Sequence, residues 1–222
     1  VSNGINSTKQ DSILSGLELS KAGYTAILID NAGHGNFSVV DNTLFPDLVK
    51  LSGEYINTLL KEIKDSSDFD GSKVALLGFS MGGMNSFYQA AFGDIVPSAI
   101  VSVNSSPDYI ILENADLVYT KYLNGKIEYV DSADIEKINS LLKTYSPVQN
   151  ISKLSTIPTL LVNATEDEYF PIESIREYVT QVAALGTQTI LFELEGENHE
   201  LSEEGYNLFI PEALSFLSKA FS

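Results

Sequence analysis

Apolar residues fall along this chain in two periods. The short unbroken runs "YTAILID" (24–30), "KVALLGF" (73–79), "SAIVSVN" (98–104), "IPTLLVNA" (157–164) and "TQTILFELE" (187–195) predict buried strands. Between them, "SILSGLELSKAG" (12–23) has apolar positions at helical spacing and ends in Gly23, a C-cap residue. Helical patterns follow over 43–64, from Gly82 to Phe92, over 172–185 and over 205–221. Strands alternating with helices predict an α/β domain around a mostly parallel sheet, with function at the carboxyl ends of the strands. The section 107–147 breaks the alternation. It carries several tyrosines and a helical stretch near "SADIEKINSLLKTY", and predicts a short cap or lid inserted off the sheet. No repeat, low-complexity tract or linker divides residues 1–222, which are read as one domain.

Composition narrows the function. Hydrophobic residues make up 44% of the 222 and charged ones 19%, a globular balance. The 13 Lys and Arg stand against 30 Asp and Glu, a net charge of −17 that repels nucleic acid and anionic membranes and disfavours strongly anionic substrates. Cysteine is absent, which excludes disulfides and thiolate chemistry but fits either side of a membrane. No apolar stretch reaches the length of a bilayer span. With two distant histidines and no phosphate-cradling glycine loop, neither a metal nor a nucleotide cofactor is expected.

The chemistry gathers at "GFSMGG" (78–83), where a strand pattern stops and a helix pattern begins. G-x-S-x-G in that setting is a nucleophile elbow, with Ser80 exposed on a strained turn and Gly78 and Gly82 leaving room for it. A serine hydroxyl needs a base. In the chain order that goes with this elbow (Ser, acid, His), His199 of "EGENHEL" is the base, and His34, which precedes Ser80, supports its own loop. The acid lies between them. "NATEDEYFP" offers Glu166, Asp167 and Glu168; Asp167 is preferred because "FP" falls three and four residues later, and Asp108, after the preceding strand, is the rival position.

These segments resemble an α/β-hydrolase, nearer to the small esterases and serine-peptidase-like members than to the large lipases. "SNGINST", "GYTAILIDNAGHGNFS", "GFSMGG", "YSPVQNISKLSTIPTLLVNATEDEYFP" and "EGENHEL" carry the likeness over most of the chain, with 107–145 the poorest match. The resemblance implies a three-layer fold and an oxyanion hole made of the Met81 and Ile5 backbone N–H groups, with Asn3 where the family usually has histidine. "DNAGHGNFS" is similar to the family's D-x-R-G-x-G-x-S stretch, with Ala32 for arginine, so Asp30 and Ser38 receive no catalytic role. In the family a central hydrophobic strand precedes the oxyanion loop, and here only Val1 and Ser2 remain of it. A second polypeptide supplying the strand, a shortened chain and a rearranged or swapped dimer all fit, the first two being favoured. The function expected is hydrolysis of esters of small or aromatic acids, with Tyr109, Tyr119, Tyr122 and Phe170 offered as apolar walls. The alternatives are a peptidase or acylaminoacyl hydrolase and a non-catalytic binding module. Arg176, the only arginine, falls on a helix pattern and supplies no pocket for a peptide terminus.

Overall fold

The computed structural model describes residues 1–113 and 115–222. Elements run α1 (Ile13–Lys21), β1 (Thr43–Leu44), α2 (Phe45–Asp65), β2 (Ala75–Phe79), α3 (Met81–Phe92) and β3 (Ala99–Val103). Then follow β4 (Thr120–Leu123), β5 (Lys126–Tyr129), α4 (Ser132–Tyr145), α5 (Ile151–Leu154), β6 (Thr159–Ala164), α6 (Ile172–Ala183), β7 (Thr189–Leu194) and α7 (Glu203–Ala220). Strands β2, β3, β6 and β7 form a parallel sheet in that order, with Gly78 beside Ser102 and Ser102 beside Leu161.

The alternation of side chains along each strand divides the core in two. Ile100 and Leu161 point into one cluster with Phe45, Leu48 and Met84 of α2 and α3 and Ile175 of α6. Val101, Val103, Leu160 and Val162 point the other way, onto Phe209, Phe216 and Leu217 of α7 and Leu19 of α1. Each such side chain contributes about 1.5–3 kcal/mol when fully buried. The result is a three-layer arrangement, a parallel sheet with helices on both faces.

The expected strand over 24–30 is not a strand. The segment is extended, but a strand needs a ladder, and among the described residues this one reaches only Val1: the Val1 nitrogen donates to Ile27 O at 2.7 Å and Ile29 N–H donates to Val1 O at 3.1 Å. Ser2 in turn bridges β2, donating to Leu77 O and accepting from Phe79 N–H, both at 3.0 Å. Val1 and Ser2 therefore lie between 27–29 and β2, where the resemblance places a central strand. Beyond them an apolar cavity of about 410 Å³ separates Ile27 from Ala75 and Leu77.

Section 107–147 contains more than a helix. Strands β4 and β5 form a hairpin that pairs with β1 into a small antiparallel sheet. Its two-residue turn is Asn124–Gly125, with φ of 51° and 81°, the left-handed pair that a tight hairpin needs. Helix α4 buries Ile138 and Leu142 in the core shared with α2.

Candidate active site

Ser80 sits at the junction of β2 and α3 with φ 51° and ψ −119°, a strained conformation for a residue with a side chain. The turn is held by Ser80 N–H donating to Val103 O at 2.9 Å and by Ser80 O accepting from Gly83 and Met84 N–H. Both flanking glycines are required by close backbone approach. A Cβ on Gly78 would overlap the Gly82 carbonyl, and one on Gly82 would overlap the Ser2 carbonyl. The elbow thus packs against the first residues of the chain.

The loop after β7 brings His199 to this turn. Its Nε2 lies 2.9 Å from Ser80 Oγ, and its Nδ1 lies 2.8 Å from Asp167 Oδ2. The carboxylate fixes the tautomer: Asp167 accepts the Nδ1 proton, which leaves the Nε2 lone pair facing the serine hydroxyl. Asp167 follows β6, its side chain wholly buried. Its second oxygen accepts Tyr169 N–H at 2.8 Å and Phe170 N–H at 3.0 Å, so both oxygens are engaged. Phe170 stacks on the imidazole, centroids 5.7 Å apart at 21°, and Tyr169 meets it edge-on at 4.8 Å. The structure therefore brings together the three residues selected from the sequence. The rival Asp108 stands elsewhere, accepting from Ile110 N–H and Ser146 Oγ.

Asn104 is a supporting residue that the sequence reading missed. It ends β3 with φ 46°; its side-chain amide donates to His199 O at 2.8 Å and its oxygen accepts Ala164 N–H at 2.9 Å. It ties the histidine loop to the end of β6. Its signal was its place at the carboxyl end of a strand.

The Gly4–Ile5 turn lies against the elbow, a Cβ on Gly4 falling 3.3 Å from Ser80 Cβ. Neither Ile5 N–H nor Met81 N–H donates to another protein group among the described residues. Ile5, Ser80 and His199 line a cavity of about 680 Å³.

The walls of that cavity differ from those expected. Tyr109, Tyr119, Tyr122 and Phe170 do not line it; Phe79, Leu117, Tyr129, Tyr169 and Tyr206 do. Tyr109 is 1% exposed, its hydroxyl donating to Met84 O at 2.5 Å and pushed well above its ordinary pKa by burial. Phe170 is fully buried, behind the imidazole. Period alone cannot tell which side of an irregular segment faces a cavity. Among the described residues three carboxylates, Asp11, Asp116 and Glu200, stand on the lining, with no lysine or arginine. No three or more His, Asp or Glu side chains converge as metal ligands among the described residues. No helix there is long and apolar enough to cross a membrane.

The sequence model of the prolyl oligopeptidase family matches residues 47–222, a span that includes Ser80, Asp167 and His199 but not Ile5. Among curated proteins no sequence matches. Solved structures do. TT1662 from Thermus thermophilus superposes with a TM-score of 0.71 at 14% identity, over 98% of this chain and 86% of its own. Thermogutta terrifontis esterase 2, phosphoramylated by tabun, gives 0.72 at 16%, over 98% and 81%. A puromycin hydrolase gives 0.67 at 16%, over 87% of this chain and 29% of its own, so the likeness spans under a third of that enzyme. At these identities the structures share the fold.

Proposed function

The chain belongs to the prolyl oligopeptidase family and is a serine hydrolase of the α/β-hydrolase fold; from that premise we propose that Ser80, His199 and Asp167 are its catalytic triad and that it cleaves esters of small or aromatic carboxylic acids. The observation that carries this reading is the single imidazole bonded at 2.9 Å to a strained serine and at 2.8 Å to a buried carboxylate.

The chemistry follows from that geometry. His199 Nε2 takes the hydroxyl proton as Ser80 Oγ bonds to the substrate carbonyl carbon, and Asp167 stabilises the imidazolium. The carbonyl oxygen becomes an oxyanion between the Met81 and Ile5 N–H groups, each such donor being worth about 2.7–4 kcal/mol of barrier. Collapse of the adduct breaks the bond to the leaving group, which departs with the proton from His199. Water, deprotonated in turn by His199, then attacks the acyl-enzyme and releases the acid.

The cavity supports the substrate class. Phe79, Leu117 and the three tyrosines offer apolar and aromatic faces, and about 680 Å³ holds a compact ester. Asp11, Asp116 and Glu200, with no cation opposite, favour neutral or positively charged substrates over anionic ones. The family match favours a second reading, hydrolysis of peptides or aminoacyl amides. Steady-state rates on p-nitrophenyl acetate, butyrate and benzoate, set beside aminoacyl p-nitroanilides, separate the two. The first reading requires higher kcat/KM on the esters, slower turnover of a matched ester bearing a carboxylate, and no turnover by Ser80→Ala. Preference for the anilides would replace it with the second.

A further inference from the structure

The Gly4–Ile5 turn is held from outside by one neighbouring loop, 30–36. Asn31 donates its amide to Asn3 O at 2.6 Å, and Asp30 accepts Lys9 N–H and Lys9 Nζ, both at 2.9 Å. Between these anchors, His34 Nε2 accepts Asn6 N–H at 3.0 Å. Asn6 is itself left-handed, φ 61°, a conformation that asparagine adopts more readily than other residues with a side chain. The imidazole is 6% exposed, and its other nitrogen, Nδ1, lies 2.9 Å from Ala32 O. A carbonyl oxygen only accepts, so Nδ1 carries the proton and Nε2 is a bare lone pair. Both partners select the same neutral tautomer.

We infer that His34 is a positioning residue: its neutral Nε2 fixes the Asn6 amide and thereby keeps the Gly4–Ile5 turn against Ser80, with the Ile5 N–H available to the developing oxyanion. The inference rests on the triad reading above. Its consequence concerns protons. On protonation Nε2 gains an N–H that points at the Asn6 N–H, and two donors then face each other across 3.0 Å. Burial lowers the pKa of His34, while its bond to Ala32 O and the charge of Asp30 work to raise it. Asp30 is in turn paired with Lys9. The neutral form therefore persists at neutral pH, and the turn loosens only in acid.

Two substitutions test this. His34→Leu keeps apolar volume and removes the acceptor; His34→Gln offers an amide oxygen near the Nε2 position and does not titrate. With a p-nitrophenyl ester, His34→Leu is expected to lose about 30- to 100-fold in kcat with KM within about three-fold, approaching the cost of one lost oxyanion donor. His34→Gln is expected to recover to within about five-fold of the wild-type kcat. The acid limb of fluorophosphonate labelling should be steeper in the wild type, where a proton on His34 adds to the loss of labelling, than in His34→Gln, which has no proton to take up there. Wild-type kcat in a folded His34→Leu, or wild-type steepness in His34→Gln, overturns the inference. The second result decides the matter even if His34→Leu fails to fold. A wild-type protein that takes no label overturns the triad reading and this role with it, whereas labelling that His34→Leu leaves unaltered overturns this role alone.

Discussion

Replacing Asp167 by asparagine tests how the acid works, because the structure dictates which way the new amide must face. Asp167 Oδ1 accepts two backbone N–H groups, from Tyr169 and Phe170. Only the asparagine oxygen can take that place, so its NH₂ lands where Oδ2 now meets His199 Nδ1. That nitrogen must then accept, the ring proton moves to Nε2, and the lone pair that received the Ser80 proton is gone. The imidazolium also loses its counter-charge. At an effective dielectric near 20, two charges about 4 Å apart attract by about 4 kcal/mol, or about a thousand-fold in rate. The tautomer change adds to this, and the analogous substitution in a serine protease lowers kcat by about 10⁴. We expect Asp167→Asn to lose between about 10³ and 10⁴ in kcat, with KM within about three-fold and an unchanged fold by circular dichroism. Stopped-flow measurement of the acylation burst isolates the affected step. Retention of more than about a tenth of wild-type kcat would refute the reasoning, and Asp108→Asn should stay within about two-fold of wild type as its control.

Gly82→Ala drives a Cβ into the Ser2 carbonyl, so urea unfolding should show a loss of about 1–3 kcal/mol together with weak acylation; a variant as stable as wild type would contradict the packing described. Asn104→Ala leaves Ala164 N–H and His199 O without their partner and should cost about 1–3 kcal/mol of stability by urea titration, with a fall in kcat as the histidine loop loses its anchor. Asp30 contributes to the acid dependence of folding. Burial raises its pKa, but bonds from Lys9 and Asn36 outweigh this and hold it below its ordinary 3.8. Its contribution is therefore present above that value and is lost as pH falls through the lower folded value. Thermal melts of Asp30→Asn should show a lowered Tm at pH 7 and a shallower fall below pH 4 than wild type.

Much of this architecture was legible in the chain because strands buried on both faces write unbroken apolar runs. The four strands of the main sheet lie within the runs at 73–79, 98–104, 157–164 and 187–195. The run at 24–30 has the same composition and is not a strand, since strandedness belongs to the pairing and among the described residues its only ladder partner is Val1. The hairpin of β4 and β5 was readable, with Asn124–Gly125 as its signal, but its polar strands hid it. At the site, the elbow and the order of residues pointed to Ser80, Asp167 and His199, since motif and order are properties of sequence. The side chains facing the cavity were not legible. Tyr109 and Tyr169 are alike in composition, yet one donates to Met84 O within the core and the other borders the imidazole. Asn104 and His34 act by holding loops distant in sequence, and such contacts leave no local pattern.

The central claim, that Ser80 is the nucleophile activated by His199, is tested most directly by intact-mass spectrometry before and after a fluorophosphonate, with peptide mapping of the adduct. The account predicts one adduct per chain, on Ser80, absent in Ser80→Ala and strongly slowed in His199→Ala. A folded protein that takes no label, or labels at another residue, would contradict it.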